Sequence, residues 1–140
     1  MDFIIERNDE YALIEPKLTE LGEEQCPSLE KIIRDLYRQG YTSMILDFTN
    51  VNNFDGFITS LLRKATKICT NEAGLFIVIT DNEALTAKLD ATKIVDLMVI
   101  RTKQEAADAV NLNDLENDFK GEDDDEYDYG DFNESSESDF

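Results

Sequence analysis

Two short stretches of the chain are apolar throughout, and they constrain the fold more than any other feature. They are SMILDF at 43–48 and LFIVIT at 75–80, and neither shows the polar alternation of a strand with one face in water. Such strands are typical of a parallel sheet covered by helices on both faces. The segment between them, 56–70, has apolar residues at helical spacing. We therefore predict an α/β protein with a mixed, mostly parallel sheet.

The remaining segments fit the same architecture. Two runs rich in Ile, Leu and aromatic residues, 3–7 and 11–15, are separated by the polar RNDE and predict a β-hairpin. Apolar spacing predicts a helix between Pro27 and Gly40. Beyond residue 80, a short helix, a strand and a final helix are predicted at 83–90, 97–101 and 103–112. The predicted order is β-β-α-β-α-β-α-β-α.

Charge divides the chain into two parts. It has 13 Lys+Arg, 32 Asp+Glu and no His, a net charge of −19, and 13 of the acids but only one base lie in 113–140. Like charges at this density, with little apolar surface, favour disorder. We predict a globular domain at 1–112 and a disordered acidic tail at 113–140. The alternative is an interaction tail whose aromatic residues bind a basic partner.

The same composition excludes several classes of function. Binding to nucleic acid or to an anionic membrane surface requires a basic face, so we expect neither. The N-terminal segment lacks the basic and apolar regions of a signal peptide, and no apolar run approaches the roughly 20 residues of a membrane span. We expect a cytoplasmic protein without membrane insertion, with Cys26 and Cys69 as reduced thiols.

Catalytic and metal-binding motifs are not found in the sequence. There is no His, no CxxC pair and no Gly-rich phosphate loop. The acidic run DDDE at 123–126 lacks the glycine and the spaced ligands of a calcium loop. We therefore expect no enzymatic activity, no metal and no cofactor.

The stretch ILDFTNVNNFDGFITSLL at 45–62 places two carboxylates, Asp47 and Asp55, at a predicted strand end and helix start. Asp55 is a suitable N-cap for that helix, and loop amides could satisfy Asp47. The arrangement also resembles the receiver domain of two-component systems, in which Asp47 would be the phosphoacceptor. Against this, the spacing between the acids is one residue longer than the receiver pattern, and the loop has no proline.

The spacing fits a second family better. Residues 47–62 resemble the signature of the STAS domain, found in bacterial anti-sigma factor antagonists, and the matching positions are Asp47, Phe48, Thr49, Val51, Asn53, Phe54, Asp55, Leu61 and Leu62. The resemblance extends over about 3–112 and includes the order of the predicted elements. It implies a STAS-like fold and a regulatory role in transcription through protein–protein interaction.

The chain departs from this family at the phosphorylated turn. In the antagonists, a serine of an Asp-Ser-Ser-Gly turn is phosphorylated by the partner anti-sigma kinase; here the turn is Asp55-Gly56-Phe57, and both serines are absent. Thr59 and Ser60 are the nearest hydroxyls, either substitute phosphosites or ordinary residues of the first helical turn.

The resemblance also implies a binding surface. Its partner-binding residues would be Thr19, Glu20, Phe54, Asp55, Phe57 and Asn82, and the implied partner is an anti-sigma factor or GHKL-type kinase. Phe57 is either an exposed anchor for that partner or a core residue. The alternative functions are a STAS subunit of a lipid-transport ABC system and a receiver-like phosphoprotein. The basic residues Arg63, Lys64 and Lys67 are a solvated helix face, a partner surface or a contact for the tail.

Overall fold

The computed structural model describes the backbone of residues 3–126 and the side chains of residues 3–117. Its seven strands and four helices follow one another along the chain. They are β1 (Phe3–Arg7), β2 (Ala12–Pro16), β3 (Glu20–Leu21), α1 (Cys26–Arg38), β4 (Met44–Asp47), β5 (Asn53–Phe54), α2 (Gly56–Asn71), β6 (Phe76–Ile79), α3 (Glu83–Ala91), β7 (Met98–Ile100) and α4 (Lys103–Glu126).

Five of the strands form one sheet in the order β1-β2-β4-β6-β7. β1 and β2 are antiparallel, and every other neighbouring pair is parallel. The apolar strands β4 and β6 lie at the centre, with Ile45 opposite Ile77. The predicted mixed, mostly parallel sheet is thereby confirmed.

The central strands bury both of their faces, as their uninterrupted apolar sequences require. Met44 and Leu46 face a core that includes Leu29 of α1 and Ile58 of α2. The alternate residue Ile45 faces a smaller cluster that includes Val110 of α4. The sheet therefore lies between α4 on one face and the other helices on the opposite face.

The strands β3 and β5, of two residues each, were not predicted. They form a separate parallel pair in which Glu20 lies opposite Asn53 and Leu21 opposite Phe54. Two residues are too few to show a hydrophobic period, so the pair depends on tertiary contacts rather than on a pattern in the sequence. It joins the loop after β2 to the loop after β4.

The predicted end of the last helix at 112 is wrong, because α4 continues to Glu126. Its start is as predicted: Glu105 N donates to Thr102 Oγ1 over 3.2 Å. Farther along, Asn113 Nδ2 and Asn117 Nδ2 each donate to the carbonyl of Ala73 over 2.8 Å. These two bonds hold α4 against the end of α2, a contact that composition does not reveal. The final helix therefore extends beyond its predicted end.

The remainder of the predicted tail, 127–140, lies outside the described residues, and the division of the chain at 112 stays a prediction. Within 3–126, no helix combines the length and the apolar composition that crossing a membrane requires.

Candidate functional site

The small β3–β5 sheet places the loop after β2 beside the turn that opens α2. The carbonyl of Thr19 accepts from Asn52 N over 2.7 Å and from Asn53 N over 3.3 Å. The carbonyl of Leu21 accepts from Asp55 N over 3.2 Å. The predicted partner-binding residues Thr19 and Glu20 therefore lie next to the Asp55 turn, with both side chains exposed.

Asp55 is the N-cap of α2, and its carboxylate joins the helix to the neighbouring loop. Oδ1 accepts from Phe57 N over 3.0 Å and from Ile58 N over 3.2 Å. Oδ2 accepts from Glu23 N over 3.1 Å. One side chain thus satisfies two of the free amides at the helix start and fixes the loop across from it.

Gly22 allows this close approach. A Cβ on Gly22 would lie 2.9 Å from Asp55 Oδ2, closer than real Cβ contacts. The two loops enclose an open cleft of about 420 Å³ whose acidic lining residues are Glu20, Glu23, Glu24 and Asp55. The surface beside the turn is therefore strongly negative.

The two positions that follow Asp55 are exposed. A Cβ on Gly56 would meet no atom within 4 Å, so packing does not require glycine there. Phe57 has 54% of its surface exposed, whereas Phe54 is only 2% exposed. Of the two orientations predicted for Phe57, the structure shows the outward one. The turn therefore presents a large apolar side chain to solvent where a serine would stand in the family that it resembles.

The hydroxyls proposed as substitute phosphosites lie on the first turn of α2. Thr59 is half-buried, and its Oγ1 donates to the carbonyl of Asp55 over 3.3 Å. Ser60 is exposed. Both lie near a helix N-terminus, which favours added negative charge.

Lys88 of α3 is a further residue of the site, and sequence reasoning missed it. Its Nζ donates to Asn53 Oδ1 over 2.7 Å and to the carbonyl of Phe54, and it lies 4.6 Å from the centroid of the Phe54 ring. A cation in this position stabilises the aromatic ring and the backbone of β5 together. On sequence alone Lys88 is an ordinary lysine of a short helix.

Comparisons with known proteins fall into two groups. No protein-family model matches the chain, and no curated protein matches it.

Solved structures do match. An anti-sigma factor antagonist from Mycobacterium paratuberculosis has a TM-score of 0.68 at 18% identity, over 78% of this chain and 92% of that one. A STAS domain protein from Planctomyces limnophilus has a TM-score of 0.67 at 19% identity, over 78% and 97% of the two chains. The fold is that of the STAS domain. The phosphorylated form of the Bacillus cell fate determinant SpoIIAA also matches, with a TM-score of 0.61 at 19% identity, over 77% of this chain and 98% of that one.

Within this STAS fold, Asn82 has a capping role. Its Oδ1 accepts from Leu85 N over 3.1 Å at the start of α3, and its backbone N–H donates to Thr80 Oγ1 over 3.2 Å. Both hydrogen bonds lie at the start of α3, and neither involves a residue of the Asp55 turn. The predicted partner-binding residues other than Asn82 cluster around that turn.

Asp47, at the end of β4, accepts hydrogen bonds within the loop that follows this strand. Its Oδ1 accepts from Thr49 N over 3.0 Å and from the Thr49 hydroxyl. The two carboxylates of the 45–62 stretch therefore stabilise two different loops, Asp47 the one after β4 and Asp55 the start of α2.

Both cysteines are free. Burial raises the pKa of Cys69 to about 12. Burial, followed by the charge of Glu30, raises the pKa of Cys26, whose Sγ donates to the carbonyl of Phe57 over 3.7 Å. Among the side chains that the structure describes, those of residues 3–117, no group of three or more Cys, Asp or Glu is arranged to hold a metal ion.

Proposed function

We propose that this chain is a regulatory STAS protein that binds another protein through the surface around Asp55 and lacks the serine switch of the anti-sigma factor antagonists. It acts in the bacterial cytoplasm by binding and not by catalysis. The proposed partner is an anti-sigma factor of the GHKL kinase type. The STAS fold and the anti-sigma factor antagonists among its structural neighbours support this function.

The exposed Phe57 carries the proposal. An aromatic side chain with 54% of its surface in water is an effective anchor when a partner buries it, because it removes a large apolar area from solvent. The turn beneath it is fixed by hydrogen bonds from three backbone amides to the Asp55 carboxylate. Binding a partner therefore requires little further loss of conformational entropy in this turn.

The negative cleft beside Phe57 indicates the chemistry of the partner. Carboxylates of Glu20, Glu23 and Glu24 surround the base of the turn. A partner with an apolar pocket and a basic rim is complementary to this surface, and its association rate falls as salt rises.

Affinity capture from a lysate of the source cells, with proteins identified by mass spectrometry, tests the partner. The full chain is compared with Phe57→Ala and with Leu112→Ala, a matched control because Leu112 is 59% exposed and lies on α4. We expect a GHKL-type kinase with the parent and with Leu112→Ala, and at least a tenfold weaker signal with Phe57→Ala, since hot-spot aromatics contribute roughly 2 kcal/mol or more. Capture of an ABC ATPase instead would support the lipid-transport alternative.

Incubation with the captured kinase and ATP tests the missing switch. We expect no phosphate on residues 54–60 of the parent and stoichiometric phosphate on Gly56→Ser, because a side chain at 56 has open space around it. Stoichiometric phosphate on Thr59 or Ser60 of the parent would refute a switchless binder. Acetyl phosphate labelling of Asp47 would instead support the receiver-like alternative.

A further inference from the structure

A basic groove lies between the second half of α2 and the loop that joins α3 to β7. It encloses about 360 Å³, and the charged residues of its lining are Arg63, Lys67, Lys93 and Asp96. No ion pair to the three basic side chains is found among residues 3–117, whose side chains the structure describes. Ile94 and Val95 belong to the same lining, and Val95 has 78% of its surface in solvent. The groove therefore combines unpaired positive charge with exposed apolar atoms.

The surface around Phe57 has the opposite charge and its own exposed apolar side chain. Phe57 N and Glu23 N donate to the same carboxylate, that of Asp55, so the aromatic ring and the neighbouring acids share one surface. We call this surface the acidic face and define it by Glu20, Glu23, Glu24 and Phe57, all exposed. Within the described part of the chain, none of its three glutamates forms an ion pair.

The acidic face and the basic groove lie towards opposite ends of α2. Phe57 is the second residue of the helix, and Lys67 follows it by ten residues, a rise of roughly 15 Å at about 1.5 Å per residue. A phenylalanine side chain is too short to span this distance. The acidic face therefore cannot fill the groove of its own chain, whereas the acidic face of a second copy can approach it.

We propose that the acidic face of one copy binds in the basic groove of a second copy. Phe57 of the first copy packs against Ile94 and Val95 of the second, and the glutamates pair with the basic side chains of the groove. Charge complementarity selects this occupant, because each surface has three like-charged side chains without an ion pair and an exposed apolar residue between the same chain's charges and solvent. Two different surfaces meet, so the contact is heterologous.

This contact requires only side chains that the folded chain exposes, and it does not depend on the proposed partner protein. It covers Phe57, which is also the proposed anchor for that partner. A copy whose acidic face is bound in a groove cannot present Phe57 to another protein. Self-association and partner binding therefore exclude each other at this face.

Sedimentation velocity of the purified full chain tests the proposal without any other protein, so its outcome is separate from the capture of a kinase. At about 0.15 M NaCl the screening length is about 8 Å, so charges far from the contact repel one another only weakly. We expect the average mass to rise above the 16.0 kDa of one chain as the protein concentration approaches about 1 mM, the weak end of specific affinities. A mass of 16.0 kDa at every concentration would overturn the proposal.

Variants of each surface test which residues form the contact. Phe57→Ala is expected to weaken self-association at least about tenfold, as loss of a hot-spot aromatic does. The double variant Arg63→Glu, Lys67→Glu is expected to weaken it by about tenfold, since one exposed ion pair contributes up to about fivefold. The control, Lys31→Glu with Arg38→Glu, makes the same change of charge at exposed positions of α1 and should associate as the parent does. Equal weakening by the control would show an effect of net charge alone and refute the contact.

Mixing the two weakened proteins tests whether different surfaces meet. Phe57→Ala retains the basic groove, and the Arg63→Glu, Lys67→Glu variant retains the acidic face, so one intact contact can form between them. We expect the mixture to associate more tightly than either variant does alone at the same total concentration. A mixture no heavier than its components would mean that like surfaces meet, and it would overturn the head-to-tail contact.

Discussion

Replacing Asp55 with alanine removes three hydrogen bonds that join α2 to the loop after β3. Two of them cap the helix, through Phe57 N and Ile58 N, and the third goes to Glu23 N. Loss of an aspartate N-cap costs about 1 kcal/mol. Hydrogen bonds to charged groups contribute about 1.5–3 kcal/mol, and we take about 1 kcal/mol for the bond to Glu23 because its amide is exposed and water can solvate it. We expect the free energy of unfolding to fall by about 2 kcal/mol.

Asp55→Asn is the matched control for this change. The side-chain carbonyl can still accept from the two helix amides, but the Nδ2 group then faces the N–H of Glu23 and cannot accept from it. We expect this variant to lose about half as much stability as Asp55→Ala, about 1 kcal/mol.

Urea unfolding followed by far-UV circular dichroism measures both variants. The midpoint is expected to move while the slope of free energy against urea stays that of the parent, because the folded surface is unchanged. Thermal unfolding of Asp55→Ala should show a midpoint about 6 °C lower. A loss below about 0.5 kcal/mol for Asp55→Ala is the size expected of an ordinary surface substitution. Such a result would refute the conclusion that the Asp55 carboxylate stabilises the turn.

Three further predictions concern stability. Gly74→Ala would place a Cβ 1.8 Å from the carbonyl oxygen of Thr42, so the two backbone segments must separate; we expect a loss of at least about 3 kcal/mol in urea unfolding, and a loss below about 1 kcal/mol would contradict the contact. Lys88→Met removes the cation above Phe54 and should lower stability by about 1–2 kcal/mol in the same assay, whereas an unchanged midpoint would show that Lys88 does not hold β5. The raised pKa of Cys69 predicts that its contribution is complete below the unfolded value of 9.0 and is lost as pH rises towards about 12, because the unfolded thiol ionises first. The stability of the parent relative to Cys69→Ala should therefore fall across this range, and a constant difference would refute it.

The sheet could be predicted because a strand that is buried on both faces has an uninterrupted apolar sequence. Ile45 and Ile77 must face one helix layer while Leu46 and Val78 face the other, and a strand with no polar position satisfies both demands. The pair β3–β5 could not be predicted in this way, because strands of two residues are too short to show a periodic hydrophobic pattern.

The orientation of Phe57 could not be decided from periodicity. In α2 the buried residues Ile58, Leu61, Leu62 and Ala65 define the inner stripe. Phe57 precedes the first of them by one residue, about 100° around the helix, which places it at the edge of the stripe. An edge position packs inward or points outward according to its neighbours, and here it points outward.

The end of α4 and the role of Lys88 depend on partners that are distant in sequence. Asn113 and Asn117 hold α4 through the carbonyl of Ala73, about 40 positions earlier in the chain. Lys88 contacts Phe54, 34 positions away. Local charge and propensity predict a fraying acidic segment and a solvated lysine, since neither carries information about a distant carbonyl or ring.

The residues that hold the turn are separate from the positions at which the serines are missing. Asp55 fixes the turn with its carboxylate, and Lys88 fixes the adjoining strand from α3. Gly56 has open space for a side chain, and Phe57 points into solvent. Substitution at 56 or 57 therefore leaves these supporting bonds in place. Gly56→Ser should unfold at a urea concentration no lower than the parent does, because serine restricts the unfolded chain more than glycine. The shape of the turn therefore does not depend on whether residues 56 and 57 are serines.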